Sequence, residues 1–138
     1  MSLFNLFDTA GSALHAQTIR LNTISSNLAN ANSASSSTGK TYRAREPVFS
    51  AIVDNFATEE GAVKGVRVMG IVESQKPLRR EYQPGNPLAN KDGYVFMPNV
   101  NVVEEMANMI SASRSYQTNV EVMNTAKQML MRTLSMGQ

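Results

Sequence analysis

Apolar residues recur at helical spacing near both ends of the 138-residue chain, and the stretch between follows a different rhythm. Over residues 3–32, Phe7, Leu14, Leu21 and Leu28 repeat every seven positions, with Leu3, Ala10, Ile24 and Ala31 in the places between. Gln17 is the one polar interruption, and no proline falls in this stretch. Alternating steps of three and four keep one stripe of a helix facing a partner helix, as in a coiled coil.

The other end repeats the signal. Val102, Met109, Tyr116, Met123 and Leu130 recur every seven, Met106, Ser113, Val120 and Leu134 lie between them, and Lys127 interrupts. Asn101 followed by Glu104 is a capping-box variant, and Pro98 lies just upstream, so the spacing predicts a helix beginning near residue 101. Each helix is expected to run about 30 residues, or about 45 Å.

Between the helices, Thr41–Arg45 and Val48–Val53 alternate partly with period two, and Val66–Val72 is the clearest strand. Pro84-Gly85-Asn86-Pro87 and Asn90-Lys91-Asp92-Gly93 are turn chemistry, with Tyr94-Val95-Phe96 a short strand after the second. The expected fold is α+β, with long amino- and carboxy-terminal helices forming a coiled-coil-like pair around a small inserted β-rich domain. Its boundaries read as an axial helix over 1–32, a flexible serine-rich linker over 33–39, a β-rich domain over 40–98 and a second axial helix over 99–138.

The polar faces of the helices change this picture. A helix exposed to water normally sets Lys, Glu and Arg opposite its apolar stripe. The first helix offers Thr9, Ser12, Thr18, Asn22, Thr23, Ser25, Ser26 and Asn30, with Ala13, Ala16 and Ala29. Such faces pack closely without desolvating unpaired charge. Packing among many copies of the same helix pair accounts for them better than one hairpin in water.

Charge and composition exclude several classes. The surplus of +2 lies wholly in the middle, while residues 1–39 and 101–138 are each neutral. Arg79-Arg80 is the only basic doublet and Glu81 follows it, so no basic stripe for nucleic acid emerges. No run reaches the roughly 20 apolar residues of a membrane span, and no membrane insertion is expected. The first eight residues lack a basic segment, so no cleaved signal peptide is expected either. With no cysteine and one histidine, His15, neither a thiol nucleophile nor a zinc site can be built. Gly39-Lys40-Thr41 imitates the end of a phosphate loop, but Ala34 stands where its first glycine belongs. Glu59-Glu60 sits beside Gly61 in a loop, and Glu104-Glu105 opens a helix, where acids suit the dipole. No catalytic, cofactor-binding or metal-binding residue is therefore assigned, and no enzymatic activity is expected.

Particular runs carry a resemblance. Ser25-Ser26-Asn27-Leu28-Ala29-Asn30-Ala31-Asn32 resembles the Ser-x-Asn-Leu-Ala-Asn signature of flagellar rod and hook proteins, and Ser111–Val122 resembles their shared carboxy-terminal motif. Pro84–Ala89 and Gly93–Val100 narrow the likeness to the proximal rod subunits of the bacterial flagellar basal body. The chain departs from relatives in following the first motif with a serine-rich run rather than with threonine and Gly-Tyr.

The resemblance implies a structural subunit exported unfolded through the flagellar type III apparatus and assembled in the periplasm. Its terminal helices would pack as the core of a hollow, torque-transmitting rod around the export channel, with the middle domain outward. The implied partners are its own copies, other flagellar rod proteins, the ring–rod junction protein and the export apparatus. On this reading the assembly interface comprises Phe7, Leu14, Leu21, Ile24 and Leu28 with Met109, Tyr116, Val120, Met123 and Leu130, and Asn27 and Asn30 make specific polar contacts. A sister rod subunit, or an autonomous coiled-coil module docking one partner, remains the alternative at this stage.

Overall fold

The computed structural model describes residues 3–54 and 62–136. In chain order these form helix α1 (Leu3–Ala29), strands β1 (Arg45–Asp54), β2 (Ala62–Glu73), β3 (Arg79–Tyr82) and β4 (Tyr94–Met97), and helix α2 (Val102–Met136). Strands β1 and β2 pair with each other, and β3 pairs antiparallel with β4, aligning Arg79 with Met97 and Tyr82 with Tyr94. Two long helices with an inserted β region match the expected α+β class.

Local chemistry explains the helix ends. Asn101 Oδ1 accepts from the backbone N–H groups of Val103 (3.2 Å) and Glu104 (3.4 Å), which satisfies donors the first turn of α2 would leave open. Replacing Asn101 with alanine is expected to cost about 1 kcal/mol in a urea titration followed by circular dichroism. Helix α1 stops at Ala29, slightly before the expected boundary. There the Asn30 side chain turns back to donate to Ser26 O at 2.8 Å, competing with continuation of the helix.

The strands differ from expectation in two places. Thr41–Ala44 lies outside any strand, and β1 begins at Arg45. Strand β3 was hidden by composition, because Arg79-Arg80-Glu81-Tyr82 is mostly charged and exposed, as a free sheet edge tolerates. Its partner segment begins at Gly93, whose φ of 80° suits glycine. A side chain at Gly93 would also meet the Tyr82 ring, which packs on Tyr94 with centroids 5.2 Å apart.

Two compact units divide the chain, and each draws on both helices and on the β1–β2 hairpin. The first contains Met1–Leu21, Pro47–Gly70 and Ser111–Gln138, and the second contains Asn22–Glu46 and Ile71–Ile110. In the first, the buried described positions are small: Ala10, Ala16, Gly65, Ala112 and Ala126. In the second, Ile24, Ala31, Ala44, Val95 and Met97 are buried together with the polar Thr23, Asn27 and Thr41. The serine-rich segment is pinned by backbone pairing instead of running as a flexible linker. Ser35 and Phe96 exchange N–H···O bonds of 3.0 and 2.9 Å, which adds Ser35 to an edge of β4.

Candidate functional site

The polar centre of the second unit is Asn27, only 1% exposed. Its carboxamide uses its full capacity of two donors and two lone pairs. Nδ2 donates to Arg45 O (2.9 Å) and to Glu105 Oε1 (3.1 Å), while Oδ1 accepts from Arg45 N (2.9 Å) and Tyr42 Oη (2.8 Å). Facing both backbone groups of Arg45, the amide takes the place a neighbouring strand would hold at the start of β1. Since the Tyr42 hydroxyl gives its proton to Asn27, the 3.2 Å contact with Ser26 Oγ has Ser26 as donor. One side chain thus ties the end of α1, the start of β1 and the first turn of α2.

A second amide braces the same unit. Asn99 Oδ1 accepts from Ala44 N at 2.8 Å, and its Nδ2 donates to Lys76 O (2.9 Å) and Ser74 O (3.3 Å). Sequence reasoning passed over Asn99, because its role depends on carbonyls more than twenty residues away. The only available signal was its place after Pro98 in the Gly93–Val100 run.

In the first unit, α1 binds the β2 backbone through hydroxyls. Thr9 Oγ1 shares its one proton between Asn5 O (2.7 Å) and Lys64 O (2.9 Å), and Ser12 Oγ accepts from Val66 N at 3.0 Å. Gly65 lies between these two contacts, and a Cβ there would collide with Ser12 Oγ. Part of the small polar face of α1 is therefore engaged within the chain. Asp8 remains exposed, as do His15, Thr18, Asn22, Ser25 and Ala29 at steps of three and four. Thr18, Thr118, Thr125 and Thr133 each turn the hydroxyl back to the carbonyl four residues earlier, at 2.9–3.0 Å. Each hydroxyl proton is thus bonded within its own helix, a face suited to dry packing.

The sequence-assigned residues distribute unevenly. Ile24 is buried, Phe7, Leu14, Leu21 and Leu28 are half-buried, and Asn30 is half-buried with its amide donating to Ser26 O. Met109, Val120, Met123 and Leu130 are half-buried, and Tyr116 is 37% exposed. The deepest line on α2 instead runs through Ala112 and Ala126, with Glu105 and Asn119 half-buried in the same heptad column. Val102, Met106 and Leu134 lie outside it and are exposed.

What the sequence did not mark is the amount of apolar surface left open. Along the start of α2, Val103 (76%), Met106 and Ile110 (55%) form an exposed stripe at helical spacing. On the hairpin, Val48, Phe49, Ile52 and Val53 are exposed, as are Met69, Ile71 and Val72. Because neighbouring strand residues point to opposite faces, adjacent apolar pairs put such groups on both faces of the sheet. Among the described residues, no three His, Cys, Asp or Glu side chains come together to hold a metal ion.

Comparison with known proteins decides what these features belong to. A family model described as "Flagella basal body rod protein" matches residues 7–34, spanning most of α1 and Asn27. A second, "Flagellar basal body rod FlgEFG protein C-terminal", matches residues 91–136, spanning β4, Asn99 and α2. The flagellar basal-body rod protein FlgC of Salmonella typhimurium is 55% identical over the whole of both chains. That of Escherichia coli O157:H7 is 54% identical over the same extent. The chain belongs to the FlgC family of flagellar basal-body rod proteins. Identity remains 37% with the FlgC of Borreliella burgdorferi, covering all of this chain and 99% of that one. As an FlgC-family member it is a structural subunit of the basal-body rod. The two family-model matches flank the middle of the chain, and the full-length relatives carry the likeness across it.

Proposed function

We propose that the chain has no catalytic role and works only as an interlocking part of a hollow rod that transmits torque and encloses the export channel. The observation that carries this is the distribution of apolar side chains. Alanines and Gly65 fill the buried described positions of the first unit, while Val103, Met106, Ile110, Phe49, Ile52 and Met69 face outward. Exposed apolar patches on this scale mark surfaces that other molecules cover. Neighbouring rod subunits, both further copies of this chain and other flagellar rod proteins, cover them in this reading. The ring–rod junction protein and the flagellar type III export apparatus are its other partners. The chain reaches the periplasm through that apparatus.

Within the rod, α1 and α2 are the axial helices and the stretch between them faces outward. Phe7, Leu14, Leu21, Ile24 and Leu28 pack with Met109, Tyr116, Val120, Met123 and Leu130 along the seam that neighbouring copies extend. Asn27 and Asn30 serve it indirectly, by fixing the shape of the chain.

Two aspartate substitutions test the reading. Ile110→Asp, at an exposed site, is expected to leave the circular dichroism and urea midpoint of the purified chain unchanged while abolishing swimming. Leu21→Asp, at a half-buried site, is expected to be made and exported but to block rod completion. Normal swimming in either variant would overturn the corresponding surface.

A further inference from the structure

One cleft in the second unit holds positive charge that the fold leaves unbalanced. It is open, has a volume of about 690 Å³, and is lined by Lys40, Arg43, Arg45 and Glu73 together with Ser35 and Thr38. All of these residues belong to that unit. Arg45 pairs with Glu73 at 3.3 Å, whereas neither Lys40 nor Arg43 meets a carboxylate among the described residues. Arg43 is half-buried, and its Nη1 donates to Ser74 O (3.1 Å) and Lys76 O (3.4 Å). Those carbonyls hold the guanidinium in place without neutralising it. Its Nη2 and Nε have no partner among the described residues. They form the two-pronged donor edge that a carboxylate accepts in parallel. The exposed Lys40 adds a second cation at the same cleft.

We propose that this cleft receives an acidic peptide segment, with two closely spaced carboxylates, from a neighbouring subunit of the rod. The proposal rests on the reading of the chain as a rod subunit and adds the chemistry of one contact. Two features favour side-chain carboxylates over a phosphate group. Glu73 in the wall repels a dianion more than it repels single charges. Residues 41–44, which follow Gly39-Lys40, form no helix, so the helix start that would complete a phosphate cradle is missing. An open cleft also admits a chain that passes through it. Charge pairs of this kind contribute orientation and partner choice more than strength, so the contact selects which surface of a neighbour lies here.

Thr38 lines the cleft and is exposed, so a benzophenone amino acid placed there reports on the occupant with both cations kept. Basal bodies isolated from cells carrying that variant are irradiated and digested, and the joined peptide is sequenced by mass spectrometry. A peptide from a rod subunit with two closely spaced Asp or Glu residues is the expected result. Its yield is expected to fall severalfold when Lys40→Glu is added. A joined peptide without acids, or none although the chain is present, overturns the proposal and leaves the rod reading intact. Absence of the wild-type chain from basal bodies would instead overturn the rod reading. Should the benzophenone variant not assemble, charge reversal decides. Lys40→Glu is expected to impair swimming and Lys40→Arg to leave it unchanged. Lys91→Glu, the same reversal at an exposed turn outside the cleft, is expected to swim normally. Normal swimming with Lys40→Glu, or an equal loss with Lys91→Glu, overturns the contact.

Discussion

Asn27→Ala is expected to cost about 3 kcal/mol of stability and to abolish swimming. The substitution strips partners from four groups at once: Arg45 N–H, Arg45 C=O, the Tyr42 hydroxyl and the Glu105 carboxylate. Each neutral bond is worth about 1 kcal/mol net, and each buried group left unmade costs about 1–3 kcal/mol. Water entering the vacated space offsets part of that sum, so the middle of the range is expected. Asn27→Asp separates hydrogen bonding from packing. It keeps the two acceptors but loses both donors, and it sets a second carboxylate against Glu105. A loss at least as large as that of alanine is expected, despite a nearly identical shape. Urea unfolding of the purified chain measures both. An aspartate variant as stable as wild type would show that the donors contribute nothing.

Gly65→Val is expected to cost about 2–3 kcal/mol and to loosen α1 from the hairpin. The first atom of any side chain at Gly65 would enter the space of Ser12 Oγ, and Ser12 Cβ would lie 3.2 Å away. Ser12 cannot rotate away without losing its bond to Val66 N. A double-mutant cycle makes the argument specific. Ser12→Ala removes the colliding oxygen, so Gly65→Ala is expected to cost less in that background than in wild type. Equal costs in both backgrounds would mean that the strain lies elsewhere. Hydrogen exchange at Val66 gives an independent reading, because its amide loses protection whenever α1 and β2 separate.

Both positions show how far pattern reading extends. Asn27 stood out through its place in a recurring motif, but its partners could not be named. They come from residues 42, 45 and 105, joined only by the folded chain. Gly65 offered no signal, since a glycine in a strand reads equally as a bulge or as a close approach. The seam on α2 is read from heptad spacing, through Met109, Tyr116, Met123 and Leu130. The deepest burial on the helix lies at Ala112 and Ala126, which spacing of large apolar residues does not mark, because close backbone approach rewards the smallest side chain.

Local and periodic information was enough for the existence of the helices, the cap at Asn101, the strand at 66–72 and the family. Those depend on backbone hydrogen bonding, capping and side-chain spacing within about a turn, all of which are written along the chain. Tertiary structure alone decided that β3 forms from charged residues, that Ser35 joins β4 and that Thr9 and Ser12 grip the β2 backbone. It also left Val103 and Ile110 uncovered. Each of these depends on which distant backbone groups and surfaces come together, and that is settled by summed packing and hydrogen bonding across the fold.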